Sequence, residues 1–222
     1  KVSVLSEIEY NARKDKSGCV RRAEDHFKWP DGSGVILLDY DPRGGDEAMD
    51  AATFIAALID AAPELGTTQV LAGVSSSSHI WAKEDDEELQ GLRGQRFYVL
   101  ADDATDIPRA MSALVGRLWL AGHGHILVSS SGAQLIRCIA DPTVFQASRL
   151  DYAGGAICGR GIEQRRPAPT LWHPEGDFTV DTREAFPDMS PTEQRAYDKL
   201  VAEAKAATRA EAEAVFTTWA ED

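Results

Sequence analysis

Cysteine is scarce in this chain: its 222 residues include three, Cys19, Cys138 and Cys158. They are far apart, odd in number and form no Cys-x-x-Cys pair, which argues against a zinc ribbon and makes reduced thiols in a cytoplasmic protein the expectation. Long apolar runs are missing too, so no segment reaches membrane-spanning length. There is no signal peptide, and the chain opens at Lys1 rather than Met, so a piece of something longer is expected. Positive charge is in deficit: 23 Lys and Arg face 36 Asp and Glu, a net charge of −13. That argues against nucleic-acid binding through a uniformly basic surface, while leaving room for a local basic groove. Internal repeats and long disordered tracts are also absent.

What is present fits an ordinary soluble domain, 43% hydrophobic and 27% charged. The length suffices for one large domain, or for one domain plus an appendage. Val35-Ile36-Leu37-Leu38 reads as a buried strand, and it delivers Asp39 and Asp41 two positions apart at its end. Alternation along a strand puts those two carboxylates on one side, where they repel unless a cation sits between them. Hard divalent cations take oxygen ligands, which makes this pair a candidate metal site. The bland alternative is a strand ending in a polar turn at Pro42 and Gly44-Gly45.

Taken in order, residues 1 to 34 are mixed, with Val2 to Leu5 as a short strand and Trp29 to Gly34 as a turn. A helix is expected over about residues 46 to 62, with Asp46 and Glu47 in its first turn. Gln69 to Val74 is a strand running into Ser75-Ser76-Ser77-Ser78-His79. Hydroxyls and backbone N–H groups in such a loop suit a phosphate, although a lone histidine is more often structural. Glu84 to Gln90 reads as an exposed acidic helix or loop. Arg96 to Ala101 is another apolar strand, ending at Asp102-Asp103. Asp106 and Pro108 open a helix to about Ala121. His125 to Ser130 and Gln134 to Ala140 form a hairpin, with Arg137 in mid-strand facing either solvent or a cleft. Residues 151 to 172 read as irregular. Ser190-Pro191-Thr192-Glu193 is a capping box that opens a long polar helix. The order implies an α+β fold, a largely antiparallel sheet with flanking helices on one face.

Asp39-x-Asp41, Ser77-x-His79 and a strand ending in Asp102 follow one another in an order that resembles the catalytic core of the archaeo-eukaryotic primase (primase–polymerase) superfamily. The stretches Phe97 to Arg109 and Arg149-Leu150-Asp151-Tyr152-Ala153-Gly154-Gly155 look most like its phage- and plasmid-type members. The resemblance implies a primase–polymerase catalytic domain over residues 1–186 that contains an RRM-like unit. Residues 187–222 would then be a helical extension leading to a helicase or other domain outside this chain. It implies a DNA-dependent nucleotidyltransferase that makes primers on single-stranded DNA from nucleoside triphosphates, in a bacterial cytoplasm and encoded by a mobile element. Asp39, Asp41 and Asp102 would hold two Mg²⁺ or Mn²⁺ ions for in-line displacement. Asp102 is preferred to Asp103 because it directly follows the apolar strand. Ser77 and His79, with Arg137, would bind the triphosphate. Arg160, Arg165 and Arg166 would line a template groove that neutralises backbone phosphates without reading bases.

Two other classes compete. Asp-x-Asp glycosyltransferases also hold Mn²⁺ and a sugar nucleotide at a strand end, but leave Ser77-x-His79 unexplained. A non-catalytic single-strand-binding module would use exposed aromatics on its sheet, yet no glycine-aromatic signature surrounds Phe97 and Tyr98.

Overall fold

The structure is a computed structural model describing residues 2–42, 48–151 and 153–221. The expected loop and helix start at Arg43 to Glu47, and Tyr152, lie outside the described residues. In chain order the elements are β1 (Ser3–Leu5), α1 (Glu7–Ala12), β2 (Cys19–Arg21), β3 (Gly34–Tyr40), α2 (Ala51–Ala61), β4 (Val70–Val74), β5 (Ile80–Ala82) and β6 (Glu87–Gln90). There follow β7 (Gln95–Ala101), α3 (Ile107–Leu120), β8 (Gly124–Val128), β9 (Gln134–Cys138), β10 (Ile162–Gln164), β11 (Thr170–Trp172), α4 (Thr182–Ala185), α5 (Pro191–Ala207) and α6 (Arg209–Glu221). The fold is α+β. A four-stranded antiparallel sheet runs β11-β4-β7-β3, a three-stranded antiparallel sheet runs β10-β5-β6, β8 and β9 form a hairpin, and β1 and β2 pair in parallel. Among the described residues no helix is long and apolar enough to cross a membrane.

Strand alternation builds the core. Ile36, Leu38 and Tyr40 of β3 and Phe97, Val99 and Ala101 of β7 all point to one face and are buried. Onto that face pack Phe54, Ile55 and Leu58 of α2 and Met111, Leu114 and Leu118 of α3, spaced three and four apart as a helix requires. Phe54 lies between Tyr40 and Phe97, with ring centroids 5.2 and 4.5 Å away. The opposite face carries Val35, Leu37 and Asp39 beside Leu100, Tyr98 and Arg96, their cross-strand partners. Helices therefore cover one face of the sheet and leave the other for function.

Several local expectations shift. α2 starts at Ala51, capped by Asp50, whose carboxylate accepts from the Thr53 N–H at 2.7 Å. The acidic stretch Glu84 to Gln90 is no helix: its second half is β6, turned back against β5. Residues 151–172 contain two edge strands, β10 and β11, each too short to show a period in sequence. The C-terminal helix breaks at Thr208 into α5 and α6. α5 is docked rather than free: Val201 enters the core, and Tyr197 sets its ring edge-on to Trp119 at 6.1 Å.

One polar clip ties the start of α3 to α4. Buried Asp106 takes two hydrogen bonds from Arg109, at 2.7 and 2.6 Å, and a third from the Thr182 hydroxyl at 2.7 Å. Arg109 continues to the Phe186 carbonyl at 2.8 Å and to Asp188 at 2.9 Å. The Arg109 hydrogen bonds, helped by Thr182, hold the Asp106 carboxyl down at about 2, against the opposing pull of burial. A depressed carboxyl stabilises the fold above its unfolded value, and that stability goes as pH falls through the folded one. Asp106→Asn is expected to lower unfolding free energy at pH 7 by about 3 kcal/mol, read by denaturant titration. The gap between variant and wild type should narrow as pH falls from the ordinary 3.8 toward about 2.

Candidate functional site at one end of the sheet

β3 pairs with β7 antiparallel, with Asp39 opposite Arg96 and Gly34 opposite Ala101. β7 also pairs with β4 antiparallel, with Gly73 opposite Arg96 and Val74 opposite Gln95. Three chain ends therefore gather at one edge: the end of β3 carrying Asp39 and Asp41, the start of β7 at Gly94 to Arg96, and the end of β4 running into Ser75 to His79.

The serine loop is anchored there. Ser75 donates its N–H to the Gly94 carbonyl at 2.8 Å. The buried Ser78 hydroxyl accepts from the Arg93 N–H at 3.0 Å and the Gly94 N–H at 3.3 Å. Ser77 is exposed, its hydroxyl 3.1 Å from that of Ser75. A side chain at Gly94 would run into the Asp41 carboxylate and the Tyr40 carbonyl, so only glycine lets loop and acid approach this closely. Gly94 thus joins the Asp41 end of β3 to the base of the serine loop.

Asp102 is not among them, and this corrects the expected ligand set. Because β7 runs opposite to β3, the residue that ends β7 leaves from the other edge, on the order of 20 Å from Asp39 at the rise of a strand. There Asp102 donates its N–H to the Val180 carbonyl at 3.1 Å, and its carboxylate accepts weakly from the Thr182 N–H at 3.4 Å. Asp103, the alternative third acid, turns its carboxylate onto Thr105.

A different acid occupies the place beside Asp39. The chain leaves β9 through Ile139-Ala140 and the Asp141 N–H donates to the Asp39 carbonyl at 2.8 Å, extending the sheet edge past β3. Asp141 Oδ1 accepts from the Thr143 N–H at 2.9 Å and Oδ2 from its hydroxyl at 2.6 Å. Arg137 brings its Nε to within 3.8 Å of Asp141 and donates to the Ile136 carbonyl at 3.0 Å. Asp151 closes the other flank, 3.3 Å from Arg96 Nε and accepting from the Tyr98 hydroxyl at 2.7 Å; Arg96 Nε is 3.5 Å from Asp39. The only sequence signal for Asp141 is that it follows β9 by three residues, after Ile139-Ala140. Arg96 and Asp151 carry no such signature.

The charges crowd Asp39. Burial foremost, then the charge of Asp41, and behind them Asp141 and Asp151, push its carboxyl up to about 6 against the pull of Arg96. Among the described residues no three His, Cys, Asp or Glu side chains meet at coordinating distance. The donor chemistry still fits a hard divalent cation: the acids supply only oxygen, and Asp39 is short of positive charge. Asp41 and Asp141 are among the acids that act on Asp39, and Asp141 already accepts from Thr143 with both oxygens, as Asp103 accepts from Thr105.

His79 sits at the mouth of the serine loop in the left-handed region, φ 54°, with its Nδ1 2.9 Å from Glu88 Oε1. The three arginines expected to form a template groove are otherwise engaged or apart. Arg165 pairs with Asp86 and Glu163, each at 2.6 Å, and lies 4.5 Å above the Trp81 ring. Arg166 donates to the Gly154 and Ala153 carbonyls at 3.1 and 3.0 Å, and Arg160 lies exposed in the turn before β10. The charged heads of Arg165 and Arg166 thus hold local structure together.

Comparison of the chain with protein-family models, with curated proteins and with solved structures returns no match. The site has to be read from its own chemistry.

That chemistry has a stability signature. A carboxyl whose folded value is raised disfavours the folded state once it must ionise, so the contribution of Asp39 turns unfavourable as pH rises from 3.8 to about 6. Asp39→Asn is expected to raise the metal-free melting temperature at pH 8, by an amount equivalent to about 1–3 kcal/mol, with the gain vanishing near pH 4. Differential scanning fluorimetry across that range checks it.

Proposed function

We propose that this chain is a metal-dependent nucleotidyltransferase of the primase–polymerase type, making primers on single-stranded DNA with Asp39, Asp41 and Asp141 as its acidic residues. The observation that carries this reading is the approach of the Asp39–Asp41 end of β3 to the base of the Ser75–His79 loop across Gly94, with Asp141 joined to Asp39 on the outer side of β3. A phosphate-binding loop and a carboxylate set side by side are what phosphoryl transfer requires of a protein, since the work is positioning and charge neutralisation. Divalent ions, when bound, supply Lewis acidity toward the attacking hydroxyl and the departing pyrophosphate.

The chain's own residues do the rest. Asp39 and Asp41 offer oxygen donors from adjacent positions. Asp141, held by Thr143 and Arg137, offers a third from across the β3 edge. Ser77 and the backbone around it donate to phosphate oxygens, and His79 stands beside them. Arg137, next to Asp141, adds positive charge on the opposite flank of the acids. The open face, with Leu37, Tyr98 and the cavity of about 300 Å³ between Trp29 and Phe145, would leave space for bases beside Asp151. An Asp-x-Asp glycosyltransferase would use Asp39 and Asp41 but has no role for Ser77-x-His79.

Primer synthesis on single-stranded templates, with Mg²⁺ or Mn²⁺ and with ribo- or deoxynucleotides, is the test. Asp39→Ala and Asp141→Ala are each expected to reduce product to background, and Asp102→Ala to leave synthesis intact. Activity that survives Asp141→Ala but is lost in Asp102→Ala would overturn the assignment. Turnover of a sugar nucleotide with no primer formed would replace the function itself.

A further inference from the structure

We propose that Glu88 is the positioning residue for His79, anchoring Nδ1–H so that the imidazolium can donate from Nε2 to the phosphates of a bound nucleoside triphosphate. This rests on reading Ser77 to His79 as the triphosphate-binding loop. The acidic run Glu84 to Glu88 reads from sequence as solvated charge, and all five of its residues are exposed on the β5–β6 hairpin in keeping with that. Glu88 nevertheless makes a specific contact. On β6 it sits opposite Trp81, two residues beyond His79, at a register shift between Ile80 and Trp81. Its carboxylate turns back along the strand, and Oε1 lies 2.9 Å from His79 Nδ1.

A carboxylate only accepts, so the short contact requires the proton on Nδ1. The ring's other nitrogen, Nε2, is not engaged by Glu88 and can donate to a phosphate oxygen only when it too carries a proton, as in the imidazolium. The His79 backbone is held as firmly: its N–H donates to the Gly91 carbonyl at 3.0 Å, and its carbonyl accepts from the Arg165 N–H at 2.9 Å. Both bonds clamp a non-glycine residue at φ 54°, a conformation that persists only where neighbours over-determine it. Arg165 does not compete for Glu88, being paired with Asp86 and Glu163. The backbone clamp fixes where the imidazole starts, and the carboxylate holds its Nδ1. A ring fixed before the ligand arrives loses less freedom on binding it.

The test has two readouts on the intact chain. Histidine ¹⁵N NMR is expected to show the Nδ1–H tautomer at His79 in the wild type and its loss in Glu88→Ala. Calorimetric titration with ATP and Mg²⁺ is expected to show Glu88→Ala binding about tenfold more weakly, and Glu88→Gln close to wild type because its carboxamide oxygen still accepts from Nδ1–H. Melting temperatures of both variants should match the wild type. An unchanged tautomer in Glu88→Ala, or unchanged ATP affinity while His79→Ala binds weakly, overturns the role of Glu88 and leaves the loop assignment standing. His79→Ala binding ATP as tightly as wild type overturns the loop assignment, and the inference with it.

Discussion

The antiparallel pairing of β3 with β7 decides which acids can act together. Its register sets Asp39 against Arg96 and Gly34 against Ala101, and so sends the carboxylates that end the two strands to opposite edges. A parallel pairing would have brought Asp39 and Asp102 side by side. The register is secured by the core: a slip of one residue would turn Ile36, Leu38 and Tyr40 toward solvent and bring Asp39 into the apolar layer. Phe54, stacked between Tyr40 and Phe97, locks the same alignment from the helical side. Packing on the covered face therefore determines the chemistry available on the open one.

At the edge so defined, the chain concentrates negative charge around one part-buried acid. Asp39 is part-buried next to Asp41, with Asp141 and Asp151 near, and Arg96 offsets only part of the repulsion. A strained group of this kind is a common mark of a working site, because the strain is relieved when the ligand arrives. Asp106 at the start of α3 is the contrast: it is also buried, but its three hydrogen bonds satisfy it and its role is to hold helices together. Burial alone does not separate a functional acid from a structural one; the partners do.

Much of this was legible in the sequence, and the gaps have physical causes. Long apolar strands and amphipathic helices announced themselves, because β3, β7, α2 and α3 each bury a face with a clear period. The Asp39–Asp41 pair and the Ser77–His79 loop could be read for the same reason: each directly follows such a strand. What a one-dimensional pattern lacks is strand direction. Asp102 follows β7 directly and Asp141 follows β9 by three residues, and only the pairing of the strands tells which of them lies near Asp39. Short elements fared worse: β6, β10 and β11 have three or four residues apiece, too few to show alternation. Nor could composition reveal that Arg165 and Arg166 are committed to local contacts, or that Glu88 meets His79.

Paramagnetic broadening by Mn²⁺ in amide-resolved NMR tests the central claim most directly, because it locates a bound cation without requiring turnover. At substoichiometric Mn²⁺ the account expects the amide signals of Asp41, Gly94 and Asp141 to broaden first, with those of Asp102, Thr105 and Thr182 staying sharp. Broadening centred on Asp102, or none at either edge of the sheet, would contradict it.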